Sequence, residues 1–282
     1  MNERFDVAVA GGGYVGLSLA LALKAADPSL AVAVIEPKPP AAMRRDGRAS
    51  AIAAAARAML DRLGVWDAIA PEAQPITDMI VTDSRVGDAV RPVFLTFGGA
   101  LEDGEPFAHM VPNSAMVAAL LDAAEAAGVV ILAPESVADF EIRPGAAVLR
   151  LASGRAIDAG LLVAADGARS RLRELAGIRT VAWAYGQSGI VAAIRHERPH
   201  GGRAEEHFLP SGPFAILPLA DDAGGRHRSS LVWAENTREA ERLVAGDDFT
   251  FGLELERRFG RHLGAIEPVG PRHAYPLGLT LA

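Results

Sequence analysis

Apolar positions in the first third of the chain follow two periods. Residues 5–10 and 31–35 are short, nearly continuous apolar runs, the pattern of strands buried on both faces of a parallel sheet. Between them, residues 11–16 read as a glycine turn and 17–26 as a helix, giving one βαβ unit. Residues 50–69, with Met59, Leu60, Leu63 and Trp66 at helical spacing, predict a second helix; residues 114–127, stopped by Gly128, predict a third. Strand character returns at 129–132 and 161–165. This alternation predicts an α/β sheet with helices on its faces.

Residues 79–97 and 188–280 read differently, as β-rich segments separated by Pro and Gly clusters. They predict a second, mostly antiparallel β-sheet domain with strands at 189–194, 214–219 and 229–234 and turns such as Asp221-Asp222-Ala223-Gly224-Gly225. A helix-like pattern covers 237–259. The expected division is a nucleotide-binding unit from residues 1–77 and 101–180 and a substrate-binding sheet from 78–100 and 181–282.

Composition narrows the functional classes. The length of 282 residues suits about two domains with a sizeable core. A net charge of -7 lacks the basic footprint that a nucleic-acid partner requires. With no cysteine, disulfides and thiolate catalysis are excluded and a reducing compartment is allowed, so any redox chemistry needs a borrowed cofactor. The first six residues run directly into a strand without a secretion signal, and the most apolar helical stretch, 17–26, contains Lys24. It falls short of the ~18 residues that span a bilayer, so the expected location is the cytoplasm or the periphery of a membrane.

Gly11-Gly12-Gly13-Tyr14-Val15-Gly16 fits G-x-G-x-x-G with a strand before it and a helix after it. Gly11 can make the tight turn, Gly13 can admit a pyrophosphate to the backbone, and Gly16 can let helix and strand pack closely. The helix N-terminus, with Tyr14 and Val15, then faces the phosphates. Glu36 ends the second strand about 20 residues later, where a carboxylate accepts hydrogen bonds from adenosine ribose hydroxyls and disfavours a 2′-phosphate. Asp166-Gly167 follows another apolar strand; it could bring a carboxylate to a ligand, or be a plain turn with Ser170 capping the next helix. Arg48, in Asp46-Gly47-Arg48-Ala49-Ser50, could reach a phosphate or a flavin edge, although a lone surface arginine is the commoner explanation. Seven scattered histidines argue against a metal site, and no G-x-S-x-G elbow is present.

Taken in order, Gly11/Gly13/Gly16, Glu36, Gly47-Arg48, Leu63-Gly64-Val65-Trp66 and Ala165-Asp166-Gly167-Ala168-Arg169-Ser170 resemble the FAD-dependent aromatic hydroxylases of the p-hydroxybenzoate hydroxylase type. Tyr185-Gly186-Gln187, the segment 208–219 and Val232-Trp233 resemble their ubiquinone-biosynthesis branch. The resemblance implies a Rossmann-type, glutathione-reductase-like FAD-binding domain beside the antiparallel substrate domain. It further implies that Glu36 binds the adenosine ribose, that Arg48, Asp166 and Gly167 contact FAD, that Asn113 lies near the flavin and Val137 near the adenine. The implied reaction uses NAD(P)H and O₂ to hydroxylate a prenylated, phenol-like ring, with the cofactor carrying the hard chemistry. No catalytic base is assigned; Tyr185 is a candidate by family position alone. Association with a membrane surface or a biosynthetic complex is compatible with such a substrate.

Family members run on through a further Gly-Asp motif, and no Gly-Asp-Ala-Ala-His-like segment follows Tyr275-Pro276-Leu277, so the sequence reads as a C-terminally truncated member. Two other functions share the βαβ unit: a non-catalytic FAD-binding accessory protein, and a flavin-dependent reductase of a lipid. A simple NAD dehydrogenase fits less well, given Asp166-Gly167 and the segment 210–219.

Overall fold

A computed structural model describes residues 2–86, 88, 91–98 and 104–282. The chain begins β1 (Glu3–Ala10), α1 (Tyr14–Ala26), β2 (Val32–Ile35), α2 (Pro40–Met43), β3 (Ala49–Ala53), α3 (Ala54–Arg62) and α4 (Trp66–Ile69). It continues through β4 (Gln74–Ile76), β5 (Asp78–Asp83), β6 (Val93–Gly98), β7 (Ala108–Pro112), α5 (Asn113–Ala126), β8 (Val130–Leu132), β9 (Val137–Arg143), β10 (Ala146–Leu151), β11 (Ala156–Ala164) and α6 (Arg171–Leu175). The last part is β12 (Val181–His196), β13 (Arg203–Leu209), β14 (Gly212–Leu219), β15 (His227–Asn236), α7 (Thr237–Ala245), α8 (Asp248–Phe259) and β16 (Ile266–Leu281).

Among the described residues the strands form three sheets. The first has the order β8-β2-β1-β11-β10-β9. β8, β2, β1 and β11 run parallel, and β10 and β9 add an antiparallel extension. β1 explains its own continuous apolar run: Val7 and Val9 pack with α1 and α5 on one face, while Phe5, Ala8 and Ala10 pack with Leu149 and Ile157 on the other. A strand covered on both faces has no polar side to show.

The second sheet has the order β16-β12-β15-β14-β13-β5-β6 and is antiparallel except where β13 meets β5. One face is buried under α7 and α8, where Phe214, Trp233, Phe251, Leu255 and Phe259 form a common core. β3, β7 and β4 make the small third sheet. The boundary expected between residues 100 and 101 lies outside the described residues. No helix of the described residues is long and apolar enough to cross a membrane.

Several sequence expectations need correction. The helix after the glycine turn starts at Tyr14, three residues early, because helical geometry already begins inside the motif. Residues 50–69 are not one helix: Ala49–Ala53 is a strand, and Ala54–Arg62 and Trp66–Ile69 are separate helices. Ser50 pairs with Val111 and Ile52 with His109, so a long-range ladder overrides the helix preference of alanine-rich sequence. The helical stretch at 237–259 is likewise two helices, parted at Gly246. β9, β10, β13 and the 16-residue β16 were not anticipated.

Candidate functional site

The glycine turn is shaped by backbone atoms that leave no room for side chains. Gly11 has φ 112°, and a Cβ there would lie 2.2 Å from the Ala165 carbonyl oxygen. A Cβ on Gly16 would lie 1.9 Å from the Gly11 carbonyl oxygen, so α1 can start this close to β1 only with glycine. Gly13 differs, because nothing stands within 4 Å of its Cβ position and the space in front of it is open. Gly13 also caps α1 without a side-chain acceptor, which leaves the first amides of the helix available to an anion.

Glu36 stands at the end of β2 and is buried. Its Oε2 accepts from the Gly12 amide at 2.8 Å and its Oε1 from the Lys38 amide at 3.0 Å. These bonds fix the carboxylate, and each oxygen retains a lone pair for a hydroxyl donor. Asp166 follows β11, which is separated from β2 by β1: its Oδ2 accepts from the Leu172 amide at 3.2 Å, while the buried Oδ1 has no partner. Ser170 caps α6 by accepting from the Arg173 amide, so the helix-cap reading of this loop holds. Gly167, with φ 84°, adopts the left-handed conformation that closes the loop.

Gly11, Gly13, Glu36, Val137, Asp166 and Gly167 line one cleft of about 450 Å³ at the carboxyl ends of β1, β2 and β11. This is where an open α/β sheet binds a nucleotide. An unpartnered carboxylate oxygen, uncapped helix amides and the open space at Gly13 all suit a ligand with hydroxyls and phosphates, and so fit the adenosine diphosphate half of FAD. A larger cleft of about 570 Å³ shares Asp166 and Gly167 but is walled by Phe140, Ile142 and Leu161 and lacks the glycine turn.

Tyr14 and Val15, on the first turn of α1, are exposed, and Gly16 is buried beneath them. Arg48 and Asn113 are not in the nucleotide cleft. Arg48 lines a second cleft of about 340 Å³, closed on its far side by Val191, Ala192 and Tyr275 of the seven-stranded sheet. Its guanidinium lies 5.8 Å from the centre of the Tyr275 ring. Asn113 is buried behind it, donating to Asp46 at 3.1 Å and accepting from Ser50 at 2.7 Å. Asp46 and Ser50 escaped notice in the sequence, although both stand within two residues of Arg48. Arg48's hydrogen bonds, aided by Asn113, hold the Asp46 carboxyl down to about 2 against the cost of its burial. Tyr185 is exposed on β12, next to Gly186, whose φ is 69°.

Comparison with known proteins agrees with this geometry. The model of the FAD binding domain family matches residues 4–243. Ubiquinone hydroxylase UbiL of Rhodospirillum rubrum is 42% identical over 281 residues, covering 98% of this chain and 62% of that protein. The 3-demethoxyubiquinol 3-hydroxylase of Escherichia coli is 33% identical over 282 residues, covering 98% of this chain and 68% of that protein. The chain thus spans a little under two thirds of the first relative's length and just over two thirds of the second's. Among solved structures, p-nitrophenol 4-monooxygenase PnpA from Pseudomonas putida superposes with a TM-score of 0.75 at 19% identity over 99% of this chain and 69% of that one, a likeness of fold. The chain belongs to the FAD binding domain family, in the ubiquinone-biosynthesis hydroxylase branch of the FAD-dependent aromatic hydroxylases.

Proposed function

We propose that this chain forms the cofactor- and ring-binding part of an FAD-dependent monooxygenase that hydroxylates a prenylated phenolic ring, using NAD(P)H and O₂. Residues 1–77 and 101–180 act as the cofactor unit, and 78–100 and 181–282 as the ring-binding one. The observation that carries this reading is the pair of clefts: a nucleotide cradle with an unpartnered Asp166 oxygen, and a second cleft under the seven-stranded sheet, with Arg48 at its edge.

The chemistry that a bound FAD would supply is the transfer of electrons from NAD(P)H to O₂, activating it toward the ring. The residues of the chain bind and orient. The amides at the start of α1 hold the pyrophosphate beside Gly13, Glu36 accepts from the ribose hydroxyls, and Val137 offers an apolar wall to the adenine. Asp166 Oδ1 is free to accept a cofactor hydroxyl, and Arg48 donates toward the flavin end. The apolar side chains Val191, Ala192 and Leu219 of the second cleft exclude water from a ring seated there.

The deciding experiment adds FAD to the purified protein, desalts it and records the visible spectrum, then follows NAD(P)H oxidation and hydroxylated product with prenylated phenols. Retained flavin and O₂-dependent product are expected. Flavin with NAD(P)H oxidation but no oxygenated product would replace the proposal with a reductase, and flavin without any turnover with an accessory FAD-binding protein. Glu36→Arg is expected to weaken FAD binding at least tenfold, since ribose hydrogen bonds are lost and a cation is placed beside the adenosine.

A further inference from the structure

Asp46 lies outside the nucleotide cleft, yet three side chains are organised around it. Its Oδ1 accepts from the Arg48 amide at 3.1 Å and from Arg48 Nε at 2.9 Å, and its Oδ2 accepts from Arg48 Nη2 at 2.7 Å. Asn113 Nδ2 donates to the same Oδ2 at 3.1 Å. Asn113 is itself fixed, because its Oδ1 accepts from Ser50 Oγ at 2.7 Å and its amide donates to the Arg48 carbonyl at 2.9 Å. The Ser50 hydroxyl, the Asn113 side chain and the Asp46 carboxylate thus form one run of hydrogen bonds that ends on the guanidinium.

An ordinary surface ion pair does not account for this. The Arg48 side chain is 51% exposed, and solvent-screened pairs contribute little to stability. No buried asparagine is required to hold one. Here Asn113, only 3% exposed, and the half-buried Ser50 brace the carboxylate from behind. The guanidinium is planar, so two bonds along its Nε/Nη2 edge determine where its remaining hydrogens point. Nη1 has no hydrogen-bond partner among the described residues. Tyr275, across the second cleft, presents its ring 5.8 Å from the guanidinium. Arg48 therefore stands in the second cleft, facing the seven-stranded sheet.

We propose that Asp46, braced by Asn113 and Ser50, is a positioning residue for the cofactor: it locks Arg48 so that the Nη1 edge is held ready to donate to an acceptor of the bound flavin. This rests on the FAD reading above. Without Asp46 the arginine becomes a mobile, uncompensated cation that must be ordered anew each time the cofactor binds.

The test measures FAD dissociation constants by fluorescence quenching for the wild type, Asp46→Asn, Arg48→Ala and the double variant, with thermal melts alongside. Asp46→Asn is expected to weaken FAD about tenfold, and the double variant to bind no worse than Arg48→Ala alone. The midpoint potential of retained flavin should rise in Asp46→Asn, because an uncompensated guanidinium favours the negative charge that reduction adds. That rise should vanish in the Arg48→Ala background, a pattern that a loss of folding stability would not produce. Should Asp46→Asn fail to fold, Ser50→Ala loosens the brace from behind and is expected to weaken FAD about threefold. A wild type that binds FAD while Asp46→Asn or Ser50→Ala binds equally well overturns this proposal alone, as do additive losses in the double variant. A wild type that leaves FAD fluorescence unquenched overturns the FAD reading with it.

Discussion

Around Gly11 and Gly16 the architecture depends on side chains that are missing, whereas beneath α7 and α8 it depends on side chains that are large. At the turn, backbone meets backbone at distances where a single methyl group would collide. In the aromatic layer, Trp233 and Phe214 are fully buried, and the Arg258 guanidinium lies 4.2 Å from the Trp233 ring centre while pairing with Glu235 and Glu254. The comparison teaches where a ligand can enter. The turn leaves helix amides uncapped and one buried Asp166 oxygen without a partner, while in the layer the Arg258 charge is paired with Glu235 and Glu254, and the Trp233 and Arg258 Nε groups that lack partners are sealed among side chains.

The sharpest way to break the comparison is to give the turn a side chain. Gly16→Val places branched carbon against the Gly11 carbonyl and should cost about 4 kcal/mol or more, read as a collapse of the melting temperature together with loss of FAD binding. Removing bulk from the other region should act on stability alone: Trp233→Ala is expected to cost about 3–5 kcal/mol in denaturant unfolding, with FAD affinity retained in the folded fraction.

A third test uses pH. His207 is buried against Phe214 and Phe259 and bonded to Thr82; burial, reinforced by the Arg91 charge, lowers its pKa from 6.5 to about 4. The fold favours the neutral ring, so this contribution is complete above pH 6.5 and is lost as pH falls through the window from 6.5 to 4. On acidification across that window, the wild type should lose about 3 kcal/mol more stability than His207→Gln, a difference visible in paired denaturant titrations. Parallel curves would show that His207 is not held neutral.

The smallest expected effect on stability is at Gly13. With open space at its Cβ position and an ordinary φ of -74°, Gly13→Ala should change stability by no more than about 0.5 kcal/mol. FAD affinity should nevertheless fall, by about tenfold, because the methyl group occupies space assigned to the pyrophosphate. Equal affinity would move the phosphates away from Gly13.

Of the cleft at the glycine turn, Gly11, Gly13 and Glu36 were legible because they belong to one local, stereotyped unit, whereas Val137 rested on the family resemblance and Asp166-Gly167 could equally have been a plain turn. Gly11, Gly13, Glu36, Val137, Asp166 and Gly167 do converge on one cleft. Asp46 and Ser50 were not legible, since an acid and a hydroxyl beside an arginine look the same whether they brace it or face solvent. Only the return of β7 and α5 brings Asn113 against them. The split of residues 50–69 into a strand and two helices was hidden for the same reason, as its partner strand lies more than 50 residues further on.

What the chain determined by itself was the βαβ unit, the twice-buried strands and the need for glycine at the turn, all of which follow from residue periodicity and backbone sterics within a few tens of positions. The tertiary structure alone decided the pairing of β12 with β16, the seating of Arg48 against Tyr275, and which aromatic residues became core. Phe214 is buried while Phe208, six residues earlier, is exposed, because His207 pairs with Phe214 and shares its covered face, which puts the next residue, Phe208, on the opposite face of the sheet. Which face is covered depends on elements that the local sequence cannot see.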